Sequence, residues 1–246
     1  MARPAAPQPS GDRPEGAPFP RSLLLVQGDD DGKLKAARAS GADALIVDLA
    51  LAIAAPTSFH AAARAHKPRQ RVYLRIPAFE AGFAEVDLEA AMAAAPDGVA
   101  LTGCSDGADV QRLGARLAVL EARHGIADDA TRILAFIETA HGLLSLASYR
   151  AASPRLAGLA WNAEALAADL GGATARQIDG PYALARTLTL IGAVAAAVAP
   201  IDAPFVDVGD EAGLKADAET ARRDGFVAKI AVDPAQVAII NAVFTG

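Results

Sequence analysis

A (β/α)₈ barrel of the TIM type, in a single domain, is the fold that this sequence predicts. Three observations point to it. Short runs rich in Val, Ile and Leu recur eight times without clean alternation, the pattern of parallel strands buried on both faces. Helix-period segments lie between these runs, and strand followed by helix, eight times over, is the count of the barrel. Composition agrees: of 246 residues 52% are hydrophobic but only 5% aromatic, which suits a large core packed with small side chains. An open doubly wound sheet would want a glycine-rich phosphate turn after the first strand. The sequence there is VQGDDDGKL, which is not G-x-G-x-x-G.

Taken in order, residues 1–20, MARPAAPQPSGDRPEGAPFP, are rich in Pro, Gly and Ala and predict a disordered tail. They hold no apolar stretch of the kind a secretory signal needs. The barrel domain is expected over 21–246. Strand one is SLLLV (22–26), and DDDG (29–32) caps the helix after it. Strand two is ALIVD (44–48), strand three VYLRI (72–76) and strand four GVALT (98–102), followed by the amphipathic ADVQRLGARLAVLEARHG. Strand five is ILAFIE (133–138) and strand six LAGLAW (156–161). LTLIGAVAAAVAP reads as a core helix that Pro200 stops. Strand seven is APFVD (203–207), with Asp207 or Asp210 as N-cap of the EAGLKADAETARRDG helix, and VAKIAV (227–232) is strand eight.

Several function classes drop out. A net charge of −6, with no basic patch interleaved with aromatics, argues against nucleic acid. No span reaches the roughly 18 apolar residues of a transmembrane helix. The single cysteine, Cys104, allows no intrachain disulfide and fits a reducing cytoplasm. It is read as a small buried hydrophobe rather than a thiol nucleophile.

In a barrel of this kind the chemistry sits at the C-terminal ends of the strands. The residues delivered there are Gln27, Asp48, Arg75, Thr102 with Gly103, Glu138, Asn162, Asp207 and Asp233. Glu138 ends an apolar run, where an ionised carboxylate needs a cation, a metal or several donors, unless it only caps the next helix. An arginine and two carboxylates converging on one mouth suit a metal-bound, anionic substrate, although structural ion pairs also occupy this layer.

Beyond these physical readings, four stretches in order resemble the citrate lyase β-subunit and CoA-ester lyase family of aldolases. They are RSLLLVQGDDDGKLKAARASGADALIVDLA, VYLRI, ILAFIETAHGLLSLASYRAASPRLAGLAWNAEALAADLGG and GFVAKIAVDPAQVAIINAVF. The resemblance implies a carbon–carbon lyase that cleaves or forms a bond next to a carbonyl of a 2-oxo or 3-hydroxy acid or its CoA ester. It implies a Mg²⁺ cofactor, with Glu138 as metal ligand, Arg75 on the substrate carbonyl and carboxylate, and Asp48 retained beside it as a catalytic group. Gly103 and Asn162 fall at substrate-binding positions. By the same analogy a homo-oligomer, commonly a trimer, is expected.

The motifs also depart from the family pattern. NAEAL carries Ala165 where the family has its second metal-binding aspartate, leaving the neighbouring Glu164 as the carboxylate to take that role. DLAL keeps Asp48 but has Ala50 and Leu51 in place of two carboxylates. Pro77 replaces an asparagine, Gly103 a lysine, His141 an arginine, Asn162 a glycine and Asp233 a histidine. The chain stops at Gly246 without the family's covering C-terminal segment. Weakened Mg²⁺ binding, weak binding of a CoA ester and a preference for a small monoanion are therefore expected. Two functions remain: a lyase with an altered site, or a catalytically inactive barrel serving as a binding or partner subunit.

Overall fold

The computed structural model describes residues 18–28, 30–48, 70–77, 88–89, 92–172 and 178–245. Eight strands, β1 to β8, form a closed parallel barrel in chain order, as the sequence predicts. They are β1 (Ser22–Gln27), β2 (Ala44–Asp48), β3 (Arg71–Ile76), β4 (Gly98–Leu101), β5 (Arg132–Ile137), β6 (Leu156–Trp161), β7 (Ala199–Asp202) and β8 (Ala228–Ala231). Pairing of Ser22 with Lys229 and Leu23 with Ile230 closes the ring. The helices described are α1 (Asp31–Ala39), α2 (Gly107–His124), α3 (Ala140–Leu144), α4 (Ala163–Asp169), α5 (Gly180–Ala195), α6 (Glu211–Asp224) and α7 (Gln236–Val243), with a 3₁₀ turn over Leu146–Tyr149. Of the tail expected over 1–20, residues 1–17 lie outside the described residues, as do the substituted Ala50 and Leu51, whereas 18–20 are placed, with Pro20 buried and Phe19 packed against the barrel interior, so the expected tail is too long by these three residues.

Alternate residues of each strand fill the barrel, and the others face the helices. Leu23, Ile46, Tyr73, Leu134, Phe136, Ile201 and Ile230 share one interior cluster. Tyr73 fits there because Gly98 lies beside it: a Cβ at Gly98 would stand 2.6 Å from the tyrosine ring. Between wall and helices, Leu24, Leu45, Val47, Leu74 and Trp161 pack with residues of α1 and α4 to α7. Asp30 and Asp210 cap α1 and α6 by accepting backbone N–H bonds, as their sequence positions suggest.

The seventh strand is a correction. It is APID at 199–202 and not APFVD at 203–207, so Asp207 lies in a loop where its side chain accepts the Gly209 N–H at 3.2 Å. The preceding helix ends at Ala195, and Pro200 belongs to the strand instead of terminating the helix. A proline is tolerated at this point. The β7–β8 ladder begins only at Ile201, and the Pro200 carbonyl accepts from Val227 just before it. In a parallel strand a residue's N–H points to the same side as its C=O. The donor that Pro200 lacks therefore faces a stretch with no ladder bond to lose.

Candidate active site

Strand parity sets the chemistry of the mouth. Ile46 and Tyr73 face the barrel interior, so Asp48 and Arg75, each two residues on, face the same space one layer higher. Leu134 and Phe136 do the same for Glu138. Asp48 and Arg75 are register partners across β2 and β3. Their side chains meet with Nη1 2.6 Å from Asp48 Oδ2, while Nη2 stands 3.9 Å from Glu138 Oε1. Thus the structure brings together Asp48, Arg75 and Glu138 from three strands that are separated in sequence.

Glu138 is held from the other side by backbone. The Gly103 N–H donates to Glu138 Oε2 at 2.8 Å. Gly103 sits in the left-handed region at φ 61°, a conformation that glycine adopts without steric cost and that a lysine would adopt only with strain. The loop carrying it is pinned further by the Cys104 N–H, which donates to the Phe136 carbonyl at 3.1 Å. Thr139, and not Glu138, supplies the side-chain cap of α3. The capping reading of Glu138 is therefore overturned.

Only 7% of Glu138 is exposed, and Oε1 is buried with no hydrogen-bond partner among the described residues. Burial pushes this carboxyl above the usual glutamate range. Arg75, the Gly103 N–H and the Asn162 side chain work against that rise, while the Asp48 charge adds to it. A hard divalent cation suits such a group, because it accepts a lone carboxylate oxygen and keeps most of its waters. Among the described residues no three His, Cys, Asp or Glu side chains gather as a ready metal cage.

The remaining candidates are placed as follows. Asn162 is the N-cap of α4, its Oδ1 accepting from the Glu164 and Ala165 N–H groups at 3.1 and 3.4 Å. Glu164 is exposed in the first turn of that helix. Gln27 lies level with Asp48 and accepts from Lys33 Nζ at 3.0 Å. Thr102 Oγ1 bonds the Ile76 carbonyl, and Asp233 shapes the turn into α7 by accepting from the Ala235 N–H. His141 is exposed in α3. Cys104 is fully buried, and burial raises its thiol far above the range of a nucleophile.

Sequence reasoning missed an ionic cluster behind the same rim. Asp202, at the end of β7, accepts from Trp161 Nε1 at 3.1 Å, Arg186 Nε at 3.0 Å and Lys229 Nζ at 2.7 Å. Lys229 also reaches Asp217 at 2.5 Å and the Ala203 carbonyl at 2.7 Å. Burial opposes the Asp202 charge, but Lys229 and Arg186 outweigh it and hold the carboxyl below its ordinary range. The sequence signal was a lysine inside the apolar run VAKIAV, because a charge is almost never fully buried unless paired.

Comparison with known proteins follows the same lines. The family model described as HpcH/HpaI aldolase/citrate lyase matches residues 21–234. A (3S)-malyl-CoA thioesterase of Cereibacter sphaeroides (strain KD131) is 32% identical over 240 residues, covering 93% of this chain and 78% of that protein. The citrate lyase subunit beta of Leuconostoc mesenteroides subsp. cremoris is 28% identical over 232 residues, covering 91% and 76%. Among solved structures, protein CitE from Mycobacterium tuberculosis in complex with magnesium and acetate superposes with a TM-score of 0.75 at 27% identity, over 91% of this chain and 90% of that one. The same protein in complex with magnesium, acetoacetate and coenzyme A also gives 0.75 at 27% identity, over 92% and 81%.

Proposed function

Because this chain belongs to the HpcH/HpaI aldolase/citrate lyase family, we propose that it is a citrate lyase beta-like carbon–carbon lyase with an altered mouth. Its substrate on this reading is a small 2-oxo or 3-hydroxy acid or the CoA ester of one. The observation that carries the proposal is the Glu138 carboxylate, with Oε1 buried, lacking a hydrogen bond among the described residues and facing the Arg75 guanidinium 3.9 Å away.

On this reading Glu138 would hold Mg²⁺, with Glu164, beside Ala165, as the candidate second ligand. The ion, when bound, polarises the substrate carbonyl as a Lewis acid. The remaining work falls to this chain's own groups. Arg75 grips the substrate carboxylate and offsets the negative charge that develops as the carbon–carbon bond breaks. Asp48 holds the guanidinium in place through Nη1, leaving Nη2 turned toward Glu138. The Gly103 N–H fixes Glu138, and the Asn162 side chain helps to stabilise its charge. The related CitE complex with magnesium, acetoacetate and coenzyme A supports this cofactor and substrate class.

A second reading is a catalytically inactive barrel that serves as a binding or partner subunit. It draws on Ala165, which stands where a metal-binding aspartate is expected, and on the lack of a three-ligand cluster among the described residues.

Two measurements test the proposal. Magnesium titration by calorimetry should show weak binding by wild type, abolished in Glu138→Ala and reduced in Glu164→Ala. Turnover of malyl-, citramalyl- and citryl-CoA and of free 2-oxo acids should be followed by both carbon–carbon cleavage and free CoA release. Arg75→Ala should lower kcat/KM by roughly 10²-fold or more, the scale of losing one charge-stabilising donor. Brisk cleavage indifferent to both Arg75→Ala and Glu138→Ala would remove the site from these residues. No turnover of any substrate by wild type, with small acids still bound, selects the inactive-subunit reading.

A further inference from the structure

Away from the mouth, α6 and α7 pack side by side and leave a groove of about 700 Å³ between them. One wall is charged. Lys215, Glu219, Arg222 and Arg223 recur at helical spacing on one face of α6. Leu214, Ala218 and Ala221 turn the other face to the barrel core. The floor is apolar. α7, QVAIINAV, carries no charge, and its Ile239, Ala242 and Val243 line the groove. Arg222 joins wall to floor, its Nη1 donating at 2.8 Å to the Val243 carbonyl at the end of α7.

The cations of this wall are weakly committed. Lys215 meets Glu219 only at 3.9 Å and Arg223 meets Asp224 at 3.5 Å, with all four side chains at least 43% exposed. Exposed pairs of this kind contribute little and are easily exchanged for others. Arg222 makes no ion pair among the described residues beyond its bond to the Val243 carbonyl. Three cations thus stand with one lining carboxylate on a chain whose net charge is −6. A positive groove on a negative molecule attracts and orients the opposite sign. We propose that it binds an acidic amphipathic helix of a partner protein, with carboxylates two turns apart and small apolar side chains between them.

Spacing selects this occupant. Lys215 and Arg222 stand two turns apart on α6, about 10 Å along its axis. One phosphate or carboxylate cannot reach both, whereas a helix lying along the groove repeats its own side chains at the same interval. Glu219 stands between those cations, so the partner's carboxylates belong at the two ends of the contact and not in its middle. The floor of Ile239, Ala242 and Val243 receives leucine- or alanine-sized groups, as grooves that read amphipathic helices do. A single-stranded nucleic acid would want aromatic platforms for its bases, and no aromatic among the described residues lines the groove. Binding here is independent of whether the mouth is catalytic.

Fluorescence anisotropy of a labelled, stapled helical peptide tests this on the full chain. The probe carries two glutamates two turns apart with leucines between them, and its twin carries lysines in place of the glutamates. Wild type should bind the acidic probe saturably and leave the twin unbound. Raising the ionic strength from about 0.05 to about 0.5 M should weaken binding severalfold. Lys215→Glu/Arg222→Glu should weaken it by roughly tenfold or more and confer binding of the lysine twin, a reversal that an unfolded variant does not show. Ala242→Glu, at an exposed position of the floor, should also lose the probe, while Val119→Glu, on α2, should match wild type. No saturable binding, binding indifferent to the double substitution, or no gain for the twin overturns the proposal. Displacement of the probe by equimolar dodecanoate or inorganic phosphate overturns it in favour of a small anion. A change in the mass of the peptide-free protein on the double substitution overturns it in favour of a second copy. Should the double variant unfold by circular dichroism, Ala242→Glu decides, and unchanged binding by that variant overturns the proposal equally.

Discussion

Glu138 shows what burying one carboxyl at the barrel mouth costs the fold. Its carboxyl is almost fully buried, one oxygen lacks a hydrogen bond among the described residues, and its folded pKa is raised chiefly by desolvation. A carboxyl raised above its unfolded value of about 4.3 opposes folding fully above the raised value, and the penalty disappears as pH falls toward the unfolded one. Glu138→Gln keeps an acceptor for the Gly103 N–H and removes the charge, so the metal-free variant should be more stable than wild type at neutral pH. The expected gain is about 1 kcal/mol, or roughly 2–4 °C in Tm, and the gap should narrow on acidification. Thermal melts of the two proteins from neutral pH to about pH 4.5 check this; a lower Tm for Glu138→Gln throughout would contradict it. Glu138, Arg75 and Asp48 were legible in the sequence because each places a charge at the end of an apolar run. The part played by Gly103 was not. Read along the chain it was a missing lysine, and only the backbone angle reveals an N–H aimed at a carboxylate 35 residues away.

At the scale of elements, six of the strand runs read from the sequence fall within a residue or two of the strands observed, and β8 lies inside its run. β7 is the exception, and its cause is instructive. Pro200 looked like the end of a helix, and the charged Asp202 and Lys229 broke the expected apolar pattern of wall strands. Both charges belong to a cluster that ties β7 and β8 to α5 and α6 through Arg186 and Asp217. The lysine in VAKIAV hints that a partner exists, but pairing across 15 or more residues leaves no local trace of which residue that partner is. Removing one member strands its partners in a dry layer, so Lys229→Met should destabilise the fold by about 3–5 kcal/mol. Replacing Lys215, whose pairing with Glu219 is exposed, should leave stability unchanged within error. Urea unfolding midpoints measure both, and equal effects would show that the buried cluster is dispensable.

For the molecule as a whole, the titrating carboxylates pull in two directions. Asp202, Glu121 and Asp43 are each buried to some degree, which alone would raise them, but their cationic partners Lys229, Arg155 and Arg21 bring them below the ordinary range. Groups with depressed folded values contribute stability that is complete above the unfolded value of about 4 and is lost as pH falls through the lower folded values. Glu138 acts oppositely and at higher pH. The metal-free chain should therefore hold or slightly gain stability between neutrality and about pH 4.5, then lose it steeply below about pH 4. Denaturant midpoints across that range give the curve; a steady decline from pH 7 downward would mean that the buried ion pairs do not control acid unfolding. The closed barrel was readable from composition and run lengths alone, since eight two-sided apolar strands have few other ways to be buried. Which surface remains open to another molecule was not, because the groove arises only from how α6 and α7 pack. One contact described above has a practical consequence. The chain's single tryptophan, Trp161, donates its indole N–H to the Asp202 carboxylate and immediately precedes Asn162 at the mouth. Its ultraviolet emission thus comes from one known place in the barrel wall, with a carboxylate at its ring nitrogen and the barrel mouth one residue away. Any occupant that shifts Asn162 writes its arrival into the colour and intensity of that light, so occupancy can be followed optically without attaching a dye.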